Sequence, residues 1–236
     1  MKLLLSLSAS LLLFSCTQKE VPGNLHISGN VKGLKKGTLY IQKVVDTTLV
    51  ALDTIQINGD SHFTSNLTID SPEMYYLFLD RGVSNSLDNN LPFFAEPGNI
   101  TVETSLDYFL ADAKVSGSKN HEKYDEYKQV MARYNDIKLT LLEEKFKAYK
   151  NKNTKAIDSI QVLENDNTKR EYLYTTNFAL NHKDFEVAPF VTLSNIANVN
   201  LKYMDTIQKS MTPKVAKSLY GKKLIQLYKE RRQNEK

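Results

Sequence analysis

Residues 51–69 read ALDTIQINGDSHFTSNLTI. Apolar and polar residues alternate on either side of Asn58-Gly59-Asp60, with Ile55 and Ile57 before it and Phe63 after it. Alternation with period two is the pattern of a half-buried strand, and Asn-Gly supplies the positive φ angles of a tight turn. The stretch therefore predicts a β-hairpin, and it decides the class of the N-terminal half. Similar short runs surround it. LHISGNVKG (25–33) alternates, with Leu25, Ile27 and Val31 on faces offset around Gly29-Asn30. TLYIQKVV (38–45) follows a Lys-Lys-Gly turn, and EMYYLFLD (73–80) is almost wholly apolar, as a central strand is. LPFFAEPGNITVET (91–104) holds two runs joined by Glu96-Pro97-Gly98, where proline sets φ and glycine accepts positive φ. DRGVSNSLDNN (80–90) reads as a polar loop. Seven or eight such strands predict an antiparallel β-sandwich or partly open barrel over residues 24–116.

From Ser118 the period changes. Tyr124, Tyr127, Met131, Tyr134, Ile137 and Leu141 recur every three or four residues, the spacing of one helix face. The pattern predicts a long helix from the N-cap Ser118 to about Tyr149. A second helix is expected over residues 154–181, with Ile157, Ile160, Leu163, Tyr174 and Phe178 inward. Its polar middle, ENDNTKRE (164–171), predicts a kink or a departure from the core. Pro189 opens a third helix through FVTLSNIANV (190–199), and two more follow at about 202–210 and 214–232, the last begun by Thr212-Pro213. The fold class is α+β, with a helical region over 117–236 packed on or beside the sandwich.

The chain has 236 residues, of which 41% are hydrophobic and 25% charged, enough apolar content for a sizeable core. Its net charge of +4 falls by one when Lys2 is removed, too little to imply a nucleic-acid partner. Met1-Lys2 precedes the apolar run LLLSLSASLLLF (3–14). A membrane-spanning helix needs roughly 20 apolar residues, so this run has instead the length of a secretory signal core. Leu13-Phe14-Ser15-Cys16 resembles the bacterial lipoprotein signal, in which a small residue stands before an invariant cysteine. The resemblance implies a signal peptide at 1–15, a lipid on Cys16 and a tether at 16–23. It also implies a membrane partner through that lipid, since several acyl chains make a stable anchor. Thr17 in place of an aspartate favours the outer membrane. Cys16 is the sole cysteine. Once lipidated it leaves no thiol for a disulfide or for dithiol redox chemistry.

Further stretches carry a wider resemblance. ISGNVKGLKKGTLYIQK (27–43), DTIQINGDSHFTSNL (53–67), FFAEPGNITV (93–102) and VSGSKNHEKYDEY (115–127) are similar to β-rich modules of unknown function in Gram-negative envelopes. Such modules stand at the N-terminus of thioredoxin-like thiol–disulfide oxidoreductase lipoproteins. FALNHKDFEVAPFVTLSNI (178–196) and MTPKVAKSLYGKKL (211–224) extend the likeness to about residues 24–230. In those relatives a thioredoxin domain with Cys-x-x-Cys follows the helices. Here the corresponding stretch reads KERRQNEK (229–236), so no catalytic cysteine carries over and the accessory module alone is expected.

Candidate chemistry is sparse. His121 and Asp125 are four apart and share a helix face, but the zinc motif His-Glu-x-x-His needs a histidine at 125. An acidic first turn that suits the helix dipole is the better reading, and neither metal nor cofactor is expected. His26, His62 and His182 are scattered, and ENDNT (164–168) lacks calcium-loop spacing. Lys222, Lys223, Lys229, Arg231 and Arg232 lie on or near the last helix, whose C-terminal dipole suits positive charge. Asp-Ser/Thr-apolar triplets resemble the O-glycan acceptor of one Gram-negative lineage, with Thr47, Thr54, Ser159 and Thr206 as acceptors. The leading expectation is a non-enzymatic envelope lipoprotein. It would act as a binding or docking module accessory to thioredoxin-like envelope proteins, with such a protein or a second copy as partner. Two readings stay open beside it. One is a ligand-binding lipoprotein with a cleft lined by Tyr75, Tyr76, Phe93 and Phe94. The other is an enzyme using carboxylates such as Glu96 or Asp80 at the sandwich–helix junction.

Overall fold

The computed structural model describes residues 23–82, 86–195 and 200–234. The signal segment 1–15, Cys16 and all of the tether except Gly23 lie outside the described residues. Among the described residues eight strands run in order: β1 (Leu25–Lys32), β2 (Lys36–Val45), β3 (Thr48–Asn58), β4 (His62–Leu67), β5 (Glu73–Asp80), β6 (Asn90–Ala95), β7 (Gly98–Ser105) and β8 (Lys114–Ser116). They form two four-stranded sheets, β4-β1-β7-β8 and β3-β2-β5-β6. Pairing is antiparallel except between β1 and β7, which run parallel with Leu25 opposite Gly98, a departure from the all-antiparallel expectation.

The stretch 51–69 does not close on itself. β3 pairs with β2 and β4 pairs with β1, so residues 59–61 form a corner between the sheets rather than a hairpin turn. Gly59 takes a φ of +99° at that corner. A tight hairpin is formed instead by β2–β3, closed at Asp46-Thr47 with Asp46 at φ 57°. The corner sends Phe63 across to β1, where it lies over Gly29. A Cβ added at Gly29 would stand 2.1 Å from the Val102 carbonyl oxygen and 2.6 Å from the Phe63 ring. Gly29 is therefore a seat for Phe63 and does not offset the faces on either side of it. The strand continues through it, and Leu25, Ile27 and Val31 face one side, all buried.

Among the described residues six helices follow: α1 (Lys119–Lys150), α2 (Thr154–Asn181), α3 (Val187–Asn195), α4 (Leu201–Ser210), α5 (Pro213–Lys217) and α6 (Leu219–Asn234). No described helix is long and apolar enough to cross a membrane. α1 and α2 pack as a long antiparallel pair joined at residues 151–153. The polar middle of α2 stays within one continuous helix: Asn165, Asp166, Lys169 and Arg170 face water, while Asn167 and Glu171 are buried against α1. Asn167 donates to the Tyr134 carbonyl at 3.1 Å, and Glu171 meets Lys138 at 2.5 Å, so polar residues hold the two helices together there. Ile137 and Leu163, expected inward, are instead 46% and 51% exposed. The expected last helix is two. Ser218 breaks it by donating to the Val215 carbonyl at 2.7 Å and accepting from the Gly221 amide at 3.2 Å.

The join between sandwich and helices follows from strand alternation. Successive side chains of a strand point to opposite faces. On β5 and β6, Tyr75 and Phe93 point into the sandwich core, while Met74 and Phe94 point to the helices. Phe94 is fully buried and meets Phe190 of α3 at 5.2 Å, Tyr124 of α1 at 6.0 Å and Tyr220 of α6 at 6.1 Å between ring centres, each edge-on. Edge-to-face geometry adds to the area buried. The Tyr220 hydroxyl also accepts the Met74 amide at 2.9 Å, and burial pushes its phenol pKa well up, so it stays neutral. Phe94→Ala is expected to cost roughly 3–5 kcal/mol in denaturant unfolding. A loss below about 1 kcal/mol would show that the ring does not join the two layers.

Candidate functional site

Beside the aromatic join, a cleft of about 490 Å³ opens where several chain segments end. Its walls come from the turn before β5, the turn after β6, the first turn of α1, residues 184–186 ahead of α3, and the α5–α6 corner. The residues that matter are Asp70, Glu96, Asn120, Asp184, Glu186 and Lys214.

The start of α1 explains how these groups are held. Ser118 caps it, accepting from the His121 amide at 3.0 Å. The first amides of a helix have no partner within it. Glu96 reaches them from the β6–β7 turn: its Oε1 accepts the Lys119 amide at 2.6 Å, and its Oε2 accepts the Asn120 side-chain amide at 2.7 Å. Asn120 is 3% exposed. Its Nδ2 also donates to Glu186 Oε2 at 3.1 Å, and its Oδ1 accepts the Val187 amide, the first of α3, at 2.9 Å. One side-chain amide thus ties the sandwich turn, α1 and α3 together. Two carboxylates flank it, each at the positive end of a helix, as the dipole favours.

His121 takes the next step along α1. Its Nδ1 accepts the Phe94 amide at 3.2 Å and so pairs the open edge of β6, which makes Nε2 the protonated nitrogen, 3.3 Å from Asp125 Oδ2. Burial raises the Asp125 carboxyl, but hydrogen bonds from His121 and Lys128 outweigh it and hold the group at about 2. The pair shares a helix face, as its spacing implies, and its work is to complete the sheet edge. Among the described residues no cluster of three or more histidine, cysteine, aspartate or glutamate side chains forms a metal-ligand set.

The other sequence candidates are distributed. Tyr75 and Phe93 belong to the sandwich core, Tyr76 and Phe94 to the helix-facing layer, and none of the four lines the cleft. Asp80 lies at the far end of β5, where it accepts the Gly82 amide at 2.8 Å. Glu96 does line the cleft. Thr47, Thr54, Ser159 and Thr206 are all exposed, though the hydroxyls of Ser159 and Thr206 donate to the carbonyls of Lys155 and Lys202. Cys16 lies outside the described residues. Sequence reasoning missed Asn120, Glu186 and Lys214. For Glu186 a signal existed: it is the one charge inside the apolar run FEVAPF (185–190), and a charge there needs partners.

Asn120→Asp should destabilise the protein more than Asn120→Ala. Alanine removes the shared donor, at about 3 kcal/mol or more for the buried groups left without partners. Aspartate adds a third negative charge between Glu96 and Glu186. Chemical denaturation of both variants checks this order, and equal stabilities would contradict the shared hydrogen bonds.

No curated protein matches the chain. Residues 25–124 match a family model described as a domain of unknown function, DUF4369. The match takes in both sheets, Glu96 and Asn120 and ends in the first turns of α1, so the cleft is shared between that domain and the helices beyond it. The chain carries a DUF4369 domain, a domain of unknown function, as its sandwich and the start of its long helix.

Proposed function

We propose that this chain is a membrane-anchored envelope lipoprotein that works as a binding module, without catalysis, and holds a small polar ligand in the sandwich–helix cleft. The observation that carries the reading is how the cleft carboxylates are used. Both oxygens of Glu96 accept short hydrogen bonds from the start of α1, at 2.6 and 2.7 Å. A general acid or base has to reach a substrate proton. Glu96 is occupied holding a helix, which leaves one buried acceptor on Glu186 facing the cleft. A cleft with a few convergent polar groups suits ligand binding, and it favours a small ligand over a flat docking face. The Leu13-Phe14-Ser15-Cys16 pattern supports the anchor and an outer-membrane address. The resemblance to envelope thioredoxin-like lipoproteins supports an accessory role beside such proteins.

Two measurements test this. Acyl labelling is expected on the wild-type chain and not on Cys16→Ser, with the variant released from the membrane fraction; unchanged labelling would remove the anchor. For the cleft, a small-molecule extract of the source cell's envelope should raise the melting temperature of the full chain, since a ligand that binds the native state stabilises it. Asp184→Trp, an exposed change at the cleft, should abolish the gain. No gain, or an equal gain in the variant, would contradict the reading.

A further inference from the structure

Glu186 is 1% exposed, yet only one of its oxygens is hydrogen-bonded. Oε2 takes the Asn120 amide, while Oε1 is buried and accepts no hydrogen bond among the described residues. Leaving a buried charged acceptor without a donor is costly. The nearest cation is Lys214 Nζ, 3.5 Å from Oε1, at the tip of a side chain that is 76% exposed. Lys214 therefore answers the charge of Glu186 from outside without satisfying the oxygen, and its exposed stem is free to swing away.

We infer that the cleft is a site for a primary ammonium group on a small ligand, which donates to Glu186 Oε1 and takes the place of Lys214. The inference rests on the reading of the cleft as a ligand site. An ammonium carries three donors and a positive charge, and both suit this position. Asp70, Glu96 and Asp184 line the same cleft, so the surrounding charge also favours a cation. A bare metal ion fits poorly, because Asn120 Nδ2 already points a donor at the same carboxylate. Lys217 and Lys119, at the same cleft, offer counter-charge to an anionic group carried by the same molecule. The lysine that now stands beside Glu186 is thus a built-in stand-in for the ligand's own amine.

The test is a nuclear magnetic resonance titration of the isotope-labelled full chain, following the Asn120 side-chain amide and the Val187 backbone amide. The probes are n-butylammonium chloride, the dipeptide Ala-Ala and N-acetyl-Ala-Ala. Saturable shifts at both amides are expected with an amine and none with the acetylated peptide. Glu186→Gln should abolish the response. Lys214→Met should tighten it about fivefold, because the occluding lysine lowers the fraction of open sites. A tighter response to Ala-Ala than to butylammonium assigns the site to peptide-like zwitterions, and equal responses assign it to simple amines. No saturable shift, or an unchanged response in Glu186→Gln, overturns the inference. If Asp184→Trp abolishes stabilisation by the envelope extract while Glu186→Gln keeps it, the ammonium assignment falls and the cleft reading stands.

Discussion

The side-chain amide of Asn120 is the interaction on which the arrangement depends. It donates to Glu96 at 2.7 Å and to Glu186 at 3.1 Å and accepts from Val187 at 2.9 Å. An asparagine can do this because it is donor and acceptor at once and carries no charge. Two buried or half-buried carboxylates facing each other would repel, and a shared donor between them lowers that repulsion while each also meets a helix N-terminus. A β-sheet and a set of helices need some such device. Their apolar faces bring them together without direction, and a polar network fixes how they sit. The aromatic contacts around Phe94 supply the burial, and Asn120 supplies the register.

Much of the fold was legible in the sequence. The change from period two to period 3.6 at Ser118 marks the boundary between sheets and helices, and the cap itself lies where the pattern puts it. What was not legible is pairing. Alternation around Asn58-Gly59 is the same whether the strands meet each other or pass into different sheets, because it reports which face is buried and not the neighbour. The offset of faces expected around Gly29-Asn30 fails likewise, because the reason for this glycine is the Phe63 ring that arrives from another strand. The polar middle of α2 misled for a related reason: Asn167 and Glu171 are buried because α1 offers a carbonyl and a lysine, partners that periodicity does not reveal.

The site was legible only in part. Glu96 stood out beside its turn, but its occupation in capping α1 depends on a helix start 23 residues away in sequence. Tyr75, Tyr76, Phe93 and Phe94 are conspicuous as aromatics, and alternation alone separates them into two layers. The chemistry lies instead with Glu186 and Lys214, ordinary residue types made unusual by burial on one side and exposure on the other. The proposed binding role rests on that asymmetry. Glu96 is already used to hold a helix end, and the open buried acceptor on Glu186 is the group that would select for a donor.

The central claim is that sandwich and helices form one cooperative unit through the Phe94 contacts and the Asn120 bridge. Native-state hydrogen exchange measures this directly, by comparing the opening free energies of the Tyr75 and Leu77 amides in β5 with those of Val191 and Thr192 in α3. The account predicts that both sets open only with the whole molecule and share one free energy. Helix amides that exchange with an opening free energy lower by more than about 2 kcal/mol would show that α3 detaches alone, and would contradict it.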